Sequence, residues 1–377
     1  MPSAPPDDRP DDSPIEAPDV PPAQPPLPRA LRGRGSAVNP ANRFDRMHIA
    51  DDPEWLDAET GAERMERRIP TEFFVDHAQS VVSRNDSPDL PFTYSLNPYR
   101  GCEHGCTYCY ARPYHEYLGF SSGLDFETKI MVKPDAPRLL EQWLSRPGWV
   151  PEPIAFSGVT DCYQPVERRL GITRGCLEVC ARFGQPLGLI TKNALVTRDL
   201  DVLAELARRN LVHVTLSVTT LDPRLARSME PRASTPARRI AAIAALAGAG
   251  VPVGVNLAPV IPGLNDHEIP AILERAAEAG ATSAGYIVLR LPYQVKAVFL
   301  DWVEREFPAR AAKVRHAIES LRGGKLNETE WGSRLKGEGW RAELVERLFK
   351  STRDRLGMTE RWQPLSTAHF RRPAGPQ

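Results

Sequence analysis

Cys102, Cys106 and Cys109 fall within eight residues of one another in the stretch Asn97 to Gly119, NPYRGCEHGCTYCYARPYHEYLG. Thiolates are soft ligands that select zinc, copper(I) or iron–sulfur clusters, and a C-x3-C-x2-C triad on a short loop can converge on one centre. A four-iron cluster held by three cysteines keeps one iron without a protein ligand, open to a small molecule. A zinc knuckle that takes His104 or His115 as its fourth ligand satisfies the same spacing. Gly101 and Gly105 favour a tightly wound ligand loop and do not tell zinc from iron.

The elements that must carry this loop alternate along the chain. Short β-branched runs occur at FTYSLN (92–97), IAFSG (154–158), PLGLIT (186–191), LVHVTLSV (211–218), VPVGVNLAPV (251–260) and AGYIVLRLP (284–292). Between them lie amphipathic stretches such as GITRGCLEVCARF, RDLDVLAELARRN, TPARRIAAIAALAGAG and DHEIPAILERAAEAG, with apolar residues at i, i+3 and i+4. Strict alternation of strand and helix predicts an α/β fold with a parallel sheet and right-handed crossovers. An open doubly wound sheet and a partial TIM-like barrel both satisfy that order. In parallel barrels function gathers at the C-terminal ends of the strands, and the cysteine loop directly follows the first one.

The cysteine triad with an aromatic residue, Tyr108, before its last member resembles the radical S-adenosylmethionine (SAM) superfamily. Within it the chain is most similar to the spore photoproduct lyase, or DNA-repair photolyase-like, family, from about Tyr94 to Asp266. The resemblance rests on CTYCYA (106–111), GVTD (158–161), TKN (191–193), and the stretch from LSVTT (216–220) through MEPRAST (229–235) to VGVNLAPV (253–260). It implies a partial (β/α)6 TIM-like barrel and a 4Fe-4S cluster whose open iron binds SAM. It also implies reductive cleavage of SAM to a 5′-deoxyadenosyl radical, fed by an electron donor such as flavodoxin or ferredoxin. Carried over by position, Cys102, Cys106 and Cys109 ligate the cluster, Lys192 binds the SAM carboxylate, and Thr160 and Ser217 supply hydroxyls. Ala258 reaches the adenine through its backbone, and Tyr108 packs near it. Tyr108 and Tyr110 are linked to hydrogen-atom or proton relay. Asp161 is open between a role beside SAM and a structural cap. One departure stands out: spore photoproduct lyase returns a hydrogen atom from a cysteine where this chain has Gly158, which makes Cys162 the nearest thiol in sequence and a candidate donor. Cys176 and Cys180, at i and i+4, read as core filling.

The remainder of the chain constrains these readings. With 377 residues, 41% hydrophobic and 25% charged, it can bury one barrel-sized core with appendages. Formal net charge is zero, so no global field recruits nucleic acid or an anionic membrane. Residues 1–43 read as a disordered proline- and aspartate-rich tail with eleven prolines in its first thirty residues, then a basic linker carrying Arg29, Arg32 and Arg34, solvated or facing phosphate. Residues 44–91 form an N-terminal extension packed on the core, 92–292 the barrel, and 293–377 a helical region placed to cap the barrel's open side. From Lys313 onward fourteen Lys or Arg face eight Asp or Glu, a basic excess that suits a solvated face or a phosphate-facing surface. His77 reads as a surface or packing residue. No apolar run reaches the roughly 20 residues of a membrane span, and no signal-peptide order appears, which predicts a soluble cytoplasmic protein. Two functions from different classes follow: a radical SAM enzyme of unidentified substrate, nucleic acid among the candidates, and a zinc-stabilised nucleic-acid-binding protein without catalysis. A peptide-modifying maturase finds no recognition domain in the sequence.

Overall fold

The computed structural model describes residues 33–44 and 69–373. The proline-rich tail, with Arg29 and Arg32, lies outside them. In chain order the strands are β1 (Glu72–Val75), β2 (Val82–Arg84), β3 (Tyr94–Leu96), β4 (Tyr99–Arg100), β5 (Lys129–Val132), β6 (Ile154–Phe156), β7 (Leu187–Thr191), β8 (Val212–Ser217), β9 (Val253–Val260) and β10 (Ser283–Val288). The longer helices are α1 (Ala136–Ser145), α2 (Ile172–Phe183), α3 (Leu200–Arg208), α4 (Pro236–Gly248), α5 (Ile269–Glu278), α6 (Val295–Glu306), α7 (Pro308–Ser320) and α8 (Gly339–Arg355).

All six predicted strands form one sheet, in the order β10-β9-β8-β7-β6-β3, with β2 added antiparallel at the edge. Their mutual pairings are parallel, so the α/β fold is a partial TIM-like barrel. Side chains alternate across each strand. Leu187, Leu189, Val212, Val214, Leu216, Val253, Val255 and Leu257 face the helices and are buried in the main core. The opposite face carries small or polar residues in register: Ser95 beside Ala155, Ala155 beside Gly188, Gly188 beside His213, and Thr215 beside Gly254. A separate small sheet, β1-β5-β4, holds the strand expected in the N-terminal extension.

The C-terminal region meets the barrel at several places: α6 and α7 bury Val295, Phe299, Trp302 and Ile318 in a cluster with Cys106 and Tyr108, and Phe349 of α8 lies 4.6 Å from the Tyr286 ring on β10. Between α7 and α8, the Val288 N–H donates to the Leu335 carbonyl (2.8 Å), while Arg334 reaches Asp89 and Ser87 Oγ (2.6 Å) beside β2. A loop, rather than a helix, thus spans the unpaired side between β10 and β2. The final segment crosses the N-terminal ends of the strands: Ser366 N–H donates to Asn210 O (2.8 Å), Arg371 N–H to Phe183 O (2.9 Å), and the Trp362 ring lies 4.5 Å from that of His213. A Cβ on Gly188 would stand 3.2 Å from the Trp362 ring, so glycine is what admits the plug.

His213 is 3% exposed, 3.3 Å from Ser283 Oγ, and burial lowers its pKa to about 4. The unfolded chain, at about 6.5, takes the proton first as pH falls, so stability is full above pH 6.5 and declines through pH 4 by about 3 kcal/mol. Urea midpoints measured across that window should show the decline, and His213→Gln should flatten it. His115, also lowered to about 4 by burial, leaves a residual slope.

Candidate functional site

The cysteine loop leaves β4 without a ladder partner, so side chains and single backbone bonds fix it. Gly101 and Gly105 take φ of +76° and +67°, values glycine adopts without penalty. Cys102 N–H donates to Phe126 O (2.9 Å) and Thr107 N–H to Met229 O (3.1 Å). Beneath the loop lies Arg112, fully buried, which donates from Nε to Cys106 O (2.9 Å), to the carbonyls of Ser122 and Gly123, and to Glu127 (2.6 Å). The Glu127 carboxylate also accepts from the N–H groups of Gly35 (2.9 Å) and Ser36 (2.8 Å), and Arg34 donates to Glu127 O (3.0 Å) and Ile69 O (2.6 Å). This corrects the reading of Arg34 as part of a solvated linker: it is 8% exposed and held by these hydrogen bonds, and glycine at 35 lets the strap approach the Gly105 carbonyl.

Cys102 and Cys106 are buried, Cys109 is half-buried, and none is in a disulfide. Burial raises all three thiols, each within electrostatic reach of another, while Lys192 opposes the rise at Cys106 and Cys109, and Arg112 at Cys109. No three His, Cys, Asp or Glu side chains converge on one ion position among the described residues. His104 has both ring nitrogens engaged, Nδ1 3.4 Å from Asp161 and Nε2 3.3 Å from Asn193 Nδ2. His115 packs against Phe120 and Phe126.

Lys192 follows β7, its ammonium 5.9 Å from the centre of the Tyr108 ring. Asp161 sets that strand end by accepting from Thr191 Oγ1 (2.7 Å), Lys192 N–H (2.8 Å) and Tyr163 N–H (2.9 Å). Burial alone would raise its pKa, but His104, the Lys192 N–H and the Thr191 hydroxyl bring it to about 2, so the carboxylate is charged. Thr160 is buried and spends its hydroxyl on Tyr99 O (2.8 Å). Ser217 ends β8, and half-buried Ala258 lies on β9. Tyr110 is 46% exposed and donates to Gly158 O (2.7 Å), beyond the end of β6.

Cys162 is corrected. It is fully buried in the main core with Cys176 and Cys180, its backbone tied to Ser157 and Thr173, so its thiol fills core rather than standing at the mouth. Sequence reasoning also missed two residues. Glu230, 2% exposed, accepts from Tyr108 Oη, from Arg239 and from Thr219 Oγ1 (2.7 Å), and Arg239 in turn donates to Ser217 O (3.0 Å). This network joins Tyr108 to the end of β8. Burial would raise Glu230, but Arg239, Lys192 and its hydrogen bonds hold it at about 2. The one available signal was Glu230's place inside MEPRAST.

The description of the Radical SAM superfamily matches residues 96–276, a span that holds the cysteine loop and β6 to β9. The chain belongs to the radical SAM superfamily. It is 40% identical over 228 residues to an uncharacterized protein of Mycobacterium tuberculosis, spanning 60% of this chain and 67% of that one. It is 28% identical over 175 residues to one of Methanocaldococcus jannaschii, 46% of this chain and 63% of the other. Among solved structures, spore photoproduct lyase complexed with dinucleoside spore photoproduct aligns with a TM-score of 0.55 at 16% identity, covering 82% of this chain and 92% of that one. At that identity the likeness shows a shared fold. As a radical SAM enzyme the chain carries a catalytic site, which sets aside the non-catalytic binding protein. No helix among the described residues is long and apolar enough to cross a membrane.

Removing Glu230 leaves Arg239 buried and unpaired, which should cost about 3–5 kcal/mol. Urea denaturation of Glu230→Ala checks this, and Glu230→Ala with Arg239→Met should recover part of the loss.

Proposed function

We propose that this radical SAM enzyme holds a 4Fe-4S cluster on Cys102, Cys106 and Cys109 and cleaves SAM reductively. The observation that carries the reading is Lys192: with Glu230 paired to Arg239 and Asp161 to His104, its ammonium has no carboxylate or hydrogen-bond partner among the described residues. A ligand carboxylate is the partner this arrangement lacks, and in a poorly hydrated mouth such a charged contact is strong. The residues fit the cofactors: three free thiols on one loop, cationic groups beside them, and both nitrogens of His104 engaged elsewhere. A cluster held by Cys102, Cys106 and Cys109 would supply the electron for reductive cleavage of SAM. Lys192 orients the amino-acid end of SAM, and the Ser217 hydroxyl lies at the neighbouring strand end. Tyr108, held by Glu230, walls the adenosine side, with Ala258 offering backbone groups. Asp161 and Thr160 act through the backbone, fixing the strand ends that present Lys192. A low-potential flavodoxin or ferredoxin serves as donor.

Anaerobic protein given SAM and a reductant should release 5′-deoxyadenosine. Alanine at any of the three cysteines should bleach the brown colour of the reconstituted protein, whereas Lys192→Ala should keep the colour and melting temperature and weaken SAM binding. Retention of iron and colour by the triple variant would remove these cysteines from the site.

A second consequence concerns the substrate radical. A Cβ on Gly158 would lie 2.7 Å from Ser95 Cβ, so the backbone here is closed to a thiol. With Cys162 in the core, the enzyme should cleave SAM yet fail to restore two thymines cleanly from spore photoproduct. Product analysis by chromatography decides it, and clean repair lost in Cys162→Ala would show that the buried thiol reaches the substrate.

A further inference from the structure

A cavity of about 540 Å³ lies on the flank of the barrel, between α4 and the helical turn Ala194–Asp199 that follows β7. That is the size of a site for a small organic ligand. A second hollow of about 280 Å³ shares Arg168 and Arg238 with it and adds Arg232. The lining has two characters. Leu195, Ala241 and Ala245 supply an apolar surface, while Arg168, on the short turn Glu167–Leu170, and Arg238, on α4, bring charge to the same space from two separate elements.

Arginines line both hollows, and among the described residues no Asp or Glu does. Two of these arginines are already spent: Arg198 on Glu167 (2.8 Å) and Asp199 (2.7 Å), and Arg232 on Glu103 (2.9 Å). Arg168 and Arg238 are exposed, and their side chains make no hydrogen bond or ion pair among the described residues. A guanidinium keeps its charge at any pH a protein meets, and its planar fork matches the oxygens of a carboxylate or a phosphate. One carboxylate brings a single charge and satisfies one such fork. A phosphate monoester brings nearly two charges and three acceptor oxygens, enough for two forks at once. Bare phosphate would fill little of the volume and leave the alanine and leucine surface wet. The complementary ligand therefore joins a phosphoryl group to an apolar body.

We infer that the flank cavity is a binding site for a small phosphate monoester, whose phosphoryl group bridges Arg168 and Arg238 and whose apolar body lies along Leu195, Ala241 and Ala245. The site does not depend on the SAM-cleaving reading, but it adjoins the strand end that carries Lys192. Ser234 and Asn193 line the cavity, Ser234 N–H donates to Lys192 O (3.3 Å), and Ser234 Oγ accepts from Ala194 N–H (2.9 Å) and donates to Asn193 Oδ1 (2.9 Å). A ligand held there touches the residues that fix the backbone of Lys192.

Calorimetric titration of the full-length protein with phenyl phosphate should show saturable binding at one site, and inorganic phosphate should bind at least roughly tenfold more weakly because it leaves the apolar surface bare. Arg168→Ala and Arg238→Ala should each weaken phenyl phosphate roughly tenfold, as loss of a charged hydrogen-bond partner does. Arg310→Ala removes an exposed arginine of α7 that is equally without a side-chain partner among the described residues, and should change nothing. Ala241→Glu sets a carboxylate three residues along α4 from Arg238, where the two pair, and should abolish binding, whereas Ala241→Gln, alike in size, should retain it. The substituted side chains are exposed, so each variant should keep the wild-type melting curve by circular dichroism. No saturable binding of phenyl phosphate, or binding that ignores the Arg168 and Arg238 variants, overturns the site. Equal affinity for inorganic phosphate overturns the apolar subsite, and equal affinity for benzoate overturns the choice of a phosphate monoester. Displacement of phenyl phosphate by an oligothymidine without terminal phosphates would make the arginines a polyanion patch and overturn the small-ligand site.

Discussion

The buried pair of Arg112 and Glu127 holds the site together. The cysteine loop has no ladder to define it, so its position depends on groups reaching in from elsewhere in the chain. Arg112 directs its guanidinium donors to Cys106, Ser122, Gly123 and Glu127, and Glu127 uses its remaining capacity on Gly35 and Ser36. A fully buried ion pair is tolerable when its remaining donors and acceptors are satisfied in this way, and removing one partner costs about 3–5 kcal/mol. One electrostatic contact therefore joins three separate segments: the N-terminal strap, the ligand loop and the turn before β5. Glycine at 35 and 105 is the steric condition, since a Cβ at 35 would overlap the Gly105 carbonyl and one at 105 would crowd the Glu127 carboxylate.

The same logic operates at the strand ends. Asp161 draws Thr191 and the Lys192 backbone toward the loop that carries Thr160, while Glu230 and Arg239 tie Tyr108 to Ser217. Each is a carboxylate kept ionised inside the protein by surrounding donors, against a burial cost that would otherwise protonate it. Charges that look like a reactive cluster are thus mostly paired with one another. Lys192 is the exception among the described residues: it lies in electrostatic reach of Glu230, which is already paired to Arg239, and its ammonium makes no hydrogen bond or ion pair of its own, which gives it a claim on an anionic ligand.

Much of the fold was legible in the sequence because its signal is local. All six parallel strands appear where β-branched runs occur, and α2 to α8 occupy the amphipathic stretches between and after them. The cysteine triad and Lys192 stand out in the sequence for a related reason, spacing in one case and position at a strand end in the other. What escaped depends on long-range pairing. Arg34 reads as a supple basic linker until Glu127, 93 residues away, is brought beneath it. Cys162 seemed a candidate donor by nearness in sequence, yet alternation around the turn after β6 sends it into the core with Cys176. Nothing in Trp362 announces a plug, because the glycine that admits it lies on β7.

The barrel wall itself bears on specificity. In register across the inner face stand Ser95, Ala155 and Gly188, then Gly254 beside Ser283, and Gly285 beside Asn256. Residues this small offer few side-chain groups with which to grip a substrate. The base of that face is closed by Trp362 and His213, and a Cβ on Gly158 would stand 2.7 Å from Ser95 Cβ. A wall that confines without recognising leaves discrimination to the rim, where the large side chains are. The carboxylates of Asp161 and Glu230 are paired at the strand ends, whereas the large exposed side chains stand on separate loops. The two can therefore vary independently, which is how one radical-generating core can serve substrates of different chemistry.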